Sequence, residues 1–181
     1  EAVYDFTQEH NQRMLRSTPP NHFHSNTAER RQALLDAGVP LRMVSGELIN
    51  SENVYGFGKS ALQIFAGYVI DWGTGPGGMQ ADRPHRRAIM NADYEQIGHA
   101  ISSYGGTANF GPLVNTQVLV NIQDPPAMVV GALFEDENDS GWYEAGEGIG
   151  NATIEFSGPA GTFTTQVMSA GGYQIELPAG T

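Results

Sequence analysis

Asp124-Pro125-Pro126 divides the sequence into two stretches with different periodicities. Two successive prolines fix φ and withhold two backbone donors, so neither a helix interior nor a central strand runs through them. Before them, apolar residues recur at helical spacing in several places. Beyond them helix signals vanish, and four short strands are predicted between Gly, Pro and Ser turns: Met128 to Phe134, Ala152 to Phe156, Thr162 to Met168 and Tyr173 to Leu177. The sequence therefore predicts a first domain over 1–123, a proline linker over 124–126 and a β-sandwich module over 127–181. That module is short, and its expected incompleteness leaves a strand edge open to a partner strand.

In the first stretch, Val3, Phe6, His10 and Met14 fall close to one face of a helix over Ala2 to Arg16, stopped by Thr18-Pro19-Pro20. A second helix starts at Asn26, a capping residue with Glu29 three positions on, and ends at Gly38 and Pro40. Arg42 to Ile49 is predicted as a strand and Tyr55 to Gly58 as a loop. Ser60 to Trp72 is predicted as a helix that packs through Ala61, Phe65, Tyr68, Val69 and Trp72. A glycine-rich loop leads to a short helix from Pro84 to Asn91, with Asp82 as its expected cap. Tyr94 to Tyr104 and Val114 to Ile122 read as strands of one sheet, so the first domain is expected to be a layered α/β structure.

Charge is distributed as unevenly as periodicity. The 181 residues carry nine Lys or Arg against 20 Asp or Glu, and all nine bases lie at or before Arg87. Eleven acids and no base follow. Such a surface repels phosphate backbones, which argues against nucleic acid as a partner. No apolar run reaches the ~20 residues of a membrane helix. No cysteine occurs, so thiolate metal sites and disulfides are excluded. Glu1 as the first residue is what a mature or trimmed N-terminus would give.

Three residues carry the chemistry of the first stretch: His24 in Asn21-His22-Phe23-His24-Ser25, Glu52 in Ser51-Glu52-Asn53-Val54, and His85 in Pro84-His85-Arg86-Arg87-Ala88-Ile89-Met90-Asn91. Neutral imidazoles and a carboxylate suit a zinc-type ion, and an incomplete protein shell leaves positions for water. A carboxylate beside such water could act as a base. A lone histidine is more often packed or capping than ligating, and that reading is expected for His10, with His99 in the core or on the sheet surface and His22 supporting the site. Neither a Gly-x-Ser-x-Gly elbow nor a His-Glu-x-x-His helix is present.

Those three segments, in that order, resemble the CAP superfamily (cysteine-rich secretory proteins, antigen 5, pathogenesis-related 1), particularly its cysteine-free bacterial extracellular members. The most specific stretch is Pro84 to Gly98, and the resemblance covers about residues 2 to 122. It implies an α-β-α sandwich whose central cleft is lined by His24, Glu52 and His85. Two departures stand out: Ser51 replaces the usual glycine before Glu52, and Pro84 replaces the glycine before His85. A second cleft glutamate, found in many eukaryotic members three residues after a tryptophan, is Gly75 here. The resemblance thus implies three ligands rather than four.

In the second stretch, Asp136 to Glu147 has the spacing of an EF-hand-type calcium loop. Asp136, Asn138 and Ser140 stand at positions one, three and five, Gly141 at the sharp turn, Trp142 at the backbone-carbonyl position and Glu147 at the bidentate position. The segment also resembles calcium-binding β-modules of bacterial surface adhesins, in which a sequence like Gly171 to Thr181 closes the unit and a further strand follows.

The expected protein is therefore an exported, extracellular or cell-surface protein, non-enzymatic, with calcium in its loop and a zinc-type ion in its cleft. Its expected partners are further copies, in a homo-oligomer or surface assembly made by strand pairing. Two other readings stay open: a metal-dependent hydrolase at His24, Glu52 and His85, and a protein that binds a lipid or another small ligand.

Overall fold

A computed structural model describes residues 2–44, 46–48, 50–106 and 110–178. The predicted strand end at Ile49, residues 107–109 between two predicted strands, and the closing residues Ala179 to Thr181 lie outside the described residues. The chain divides into two compact units, Glu1–Gln123 and Asp124–Thr181.

The first unit is an α/β structure. Helix α1 (Ala2–Arg16) buries Val3, Thr7, His10, Asn11 and Met14, the three-and-four spacing of one helical face. Three of these five are polar, and Asn11 shows how they are accommodated. Its amide donates to the Ala100 carbonyl at 3.0 Å and to Ser102 Oγ at 3.1 Å, while its oxygen accepts from Thr116 Oγ1 at 2.7 Å. Helix α2 (Thr27–Asp36) begins at Asn26, whose side chain accepts from the amides of Ala28 and Glu29. The Glu29 carboxylate lies 3.9 Å from Arg13. Leu34 is buried, while Leu35, expected on the same face, is 40% exposed.

Where one strand was expected over Arg42 to Ile49, the chain forms a small hairpin of β1 (Met43–Val44) and β2 (Glu47–Leu48). The predicted loop at Tyr55 to Gly58 is instead the end of β3 (Asn50–Gly58), with an irregularity in pairing between Tyr55 and Gly58. The glycines that made this stretch look like a loop serve packing. A Cβ on Gly56 would press on His22, and one on Gly58 on Ile64. Strand β3 joins β4 (Gln96–Ser103) and β5 (Leu113–Val120) in an antiparallel sheet ordered β3-β5-β4. Central β5 is covered on both faces, so seven of its eight residues are buried and its alternation is muted.

Side chains of α1 reach the sheet face that carries Thr116 and Ala100. On the opposite face, Tyr68 of α3 (Ala61–Ile70) donates its hydroxyl to Asn115 Oδ1 at 2.8 Å. The buried side of α3 is Ile64, Gly67 and Tyr68, whereas Phe65 and Trp72, expected inside, are 51% and 45% exposed. A helix apolar all round carries no stripe from which its buried face can be read. Helix α4 (Pro84–Ile89) has no side-chain cap at its N-terminus, so Asp82 does not fill that role.

The second unit contains two antiparallel ladders, β6 (Ala127–Ala132) with β9 (Gly172–Leu177) and β7 (Thr153–Gly158) with β8 (Gly161–Gln166). An isolated bridge joins Phe134 to Gly148, closing the acidic loop between them.

Candidate functional site

Strand β3 is an edge strand, and its alternation sends neighbouring side chains to opposite faces of the sheet. Glu52, opposite Val118, points to the α1 face; Asn53, opposite Gln117, points to the other. The Glu52 side chain is 2% exposed and surrounded by donors. Oε2 accepts from the Ser25 amide at 2.8 Å and lies 3.1 Å from His24 Nδ1; Oε1 accepts from Ser25 Oγ at 2.7 Å. Arg30, itself buried, places Nη1 2.7 Å from Ser25 Oγ and 3.5 Å from Glu52 Oε2. Burial alone would raise the Glu52 carboxyl, but the hydrogen bonds from His24 and Ser25, with the charge of Arg30, hold it below the usual value.

His10 closes this cluster from α1. Its Nε2 lies 2.8 Å from the Phe23 carbonyl, which can only accept, so Nε2 carries the proton. Nδ1 is buried without a hydrogen-bond partner. Burial lowers the pKa of His10 against the opposing pull of Glu52, so the ring is held neutral. This is the packed role that its place on the apolar face of α1 implied.

His85 has an equivalent carboxylate, one that sequence reasoning missed. Asp71 ends α3 in the left-handed conformation at φ 64° and is fully buried. Its Oδ1 lies 2.7 Å from His85 Nδ1, and Oδ2 accepts from the Arg86 amide at 3.2 Å. Asp71 thus satisfies a free amide in the first turn of α4, the role expected of Asp82. The glycine-rich loop makes the contact: Gly73 donates to the Gly78 carbonyl, and Gln80 donates to the Asp71 carbonyl at 2.7 Å. Asn53 donates to the His85 carbonyl at 3.4 Å, and the Tyr68 ring lies 5.3 Å from the imidazole.

The two pairs share one consequence. A carboxylate can only accept, so Nδ1 of His24 and of His85 carries a proton, and Nε2 of each is the ring nitrogen that would meet a ligand. His24, Glu52 and His85 all line one cleft of about 490 Å³, together with Tyr68 and Trp72. Two imidazoles, each backed by a buried carboxylate, would supply two of the ligands that a zinc-type ion needs. Glu52 fits less well as a ligand, because both its oxygens are already committed. Among the described residues, no three His, Asp or Glu side chains converge to hold an ion. His22 also lines the cleft, its pKa lowered by burial and by His24, with Nδ1 buried and unpartnered. His99 lies on β4, outside this lining.

In the acidic loop of the second unit, Asp136 accepts from the amides of Ser140 and Gly141 at 2.9 and 2.7 Å. Asn138 accepts from the Ser140 amide at 3.0 Å, and Glu147 accepts from the Glu144 amide at 2.7 Å. Gly141 takes φ +77°, the conformation a sharp turn needs. Ser140 Oγ donates to the Trp142 carbonyl at 3.2 Å. The loop therefore winds around its own oxygens. An ion held there would draw on two carboxylates, the rest of its ligands being Asn, Ser and a backbone carbonyl.

The first unit is thus an α/β domain whose edge strand ties two histidine segments to one cleft. The model of the cysteine-rich secretory protein family, CAP, matches residues 1–120, and the chain belongs to that family. No curated protein and no solved structure matches the chain. Among the described residues, no helix is long and apolar enough to cross a membrane.

Proposed function

We propose that this chain is an exported surface or matrix protein in which the CAP domain acts as a metal-dependent binding module rather than an enzyme. The α-β-α layering of the first unit, and the closing of the two C-terminal ladders into a small β-sandwich, belong to the same reading. The observation that carries it is the pairing of each cleft histidine with a buried carboxylate through Nδ1. His24 and His85 would hold a zinc-type ion through Nε2, and Glu52 and Asp71 would orient them. The ion would supply a Lewis-acidic position open to an oxygen of a bound ligand. Calcium in the loop of Asp136, Asn138, Ser140, Trp142 and Glu147 would stabilise the second unit, and a strand from another chain could extend its ladders.

Isothermal titration of zinc into the chelator-treated chain tests the cleft. One ion per chain should bind there, with binding abolished in His24→Ala and in His85→Ala while both variants stay folded by circular dichroism. Zinc binding that survives both substitutions would overturn the assignment. Metal-dependent hydrolysis of ester or peptide substrates, lost with the same histidines, would replace the binding reading with the hydrolase.

A further inference from the structure

The first unit carries a second concavity, a hollow of about 640 Å³ lined by Met79, Asp82, Arg83, Arg86, Arg87 and Met90 among others. It lies on α4 and the glycine-rich loop, and its arginines are exposed. Arg13, Arg16, Arg30 and Arg31 each have a carboxylate within 4 Å. Among the described residues, the guanidinium groups of Arg83, Arg86 and Arg87 make no ion pair or hydrogen bond. Three unpaired cations side by side, in a chain of net charge −11, form a site for an anionic partner. Met90, 73% exposed, and Met79 give that site an apolar floor suited to an aromatic ring.

The matching surface is on the chain itself. The second unit holds nine acids and no base. Its acidic loop carries Trp142, 77% exposed, with Glu135, Glu137, Asp139 and Glu144 close by in sequence. We propose that the hollow of one copy receives Trp142 and these flanking carboxylates of a second copy. The indole would lie against the methionines and a guanidinium, and the carboxylates would pair with the remaining arginines. Made reciprocally between two copies, such a contact closes a two-fold dimer; made head to tail, it builds rings or filaments. It uses neither Asp136 nor Glu147, and does not depend on the loop holding calcium. It is also distinct from assembly by strand pairing.

Sedimentation velocity of the full chain in chelator tests the proposal, from low to high micromolar concentration. Association should grow with concentration at ~0.1 M salt and fall at ~1 M salt, where the Debye length drops from ~10 Å to ~3 Å. Trp142→Ala should weaken association by about tenfold or more, as loss of an aromatic anchor does. The double variant Arg83→Glu, Arg86→Glu should weaken it as much. Each variant should be a monomer alone, but a mixture of the two should form a one-to-one dimer and nothing larger, since one intact hollow meets one intact loop. Unchanged thermal melts establish that both variants are folded; Arg86→Gln with Arg87→Gln replaces the charge reversal if it melts early. A wild-type chain that stays monomeric, association indifferent to both variants, or a mixture that forms no dimer would each overturn the proposal.

Discussion

Replacing Glu52 by Gln changes one heavy atom and removes one buried charge. Three hydrogen-bonding contacts from Ser25 and His24 converge on its two oxygens, with Arg30 3.5 Å away. An amide can turn its oxygen toward Oε2's donors, but its NH2 group then faces Ser25 Oγ, which already accepts from Arg30 at 2.7 Å. Arg30, only 5% exposed, is left without its counter-charge. Breaking a buried pair on one side costs about 3–5 kcal/mol, and the first unit should lose about that much near neutral pH. Acid supplies a second reading. The folded Glu52 pKa lies below the ordinary carboxylate value, so its stabilisation is present above about pH 4.5 and is lost as pH falls through the folded value. The gap between wild type and Glu52→Gln should therefore close on acidification. Urea unfolding followed by Trp72 fluorescence, with Trp142→Phe in both proteins, reports on the first unit alone. A neutral-pH gap below about 1 kcal/mol, the size of a surface pair, would refute the reasoning, as would a gap that does not shrink near pH 3.

Asp71→Asn should weaken zinc binding by about 10- to 100-fold in titration calorimetry, because Asp71 fixes the tautomer and orientation of His85; an unchanged affinity would make Asp71 a purely structural cap. Glu147→Gln should abolish most of the calcium-induced rise in the melting temperature of the second unit, measured by calorimetry with calcium and with chelator. Gly98→Ala should destabilise the first unit by about 1–3 kcal/mol in urea unfolding, since a Cβ there would run into the Val3 carbonyl of α1.

His24, Glu52 and His85 were legible because each sits in a short motif whose residues are neighbours in sequence. Asp71 was not. An acid at the end of an apolar helix is unfavourable to the helix dipole, and reads as a solvent-facing stop. Its value comes from a residue 14 positions later, brought back by loop hydrogen bonds that leave no periodic trace. The same limit explains α3, where an all-apolar helix announced its existence but not its buried side. It explains β3 as well: Gly56 and Gly58 have the composition of a turn, yet they are small because His22 and Ile64 press on them. Local signals located the elements with propensity or caps, such as α1 and Asn26. They failed where a residue's type answered to a neighbour far along the chain.

That distinction also accounts for how two distant histidines reach one cleft. Glu52 and Asn53 are adjacent, so the pleat directs them to opposite faces of the sheet. Glu52 ties down His24 and Ser25 from the segment between α1 and α2, while Asn53 holds the backbone of His85 at the start of α4. One edge strand thus fixes both histidine segments with consecutive residues. A one-residue slip in its pairing with β5 would exchange the two faces and lose both anchors together. The register is set by buried Val54 among the same-face neighbours of Glu52, and by Asn53 donating to Gln117 at 3.2 Å on the other face. The cleft's geometry is therefore a property of the β3–β5 pairing before it is a property of either histidine.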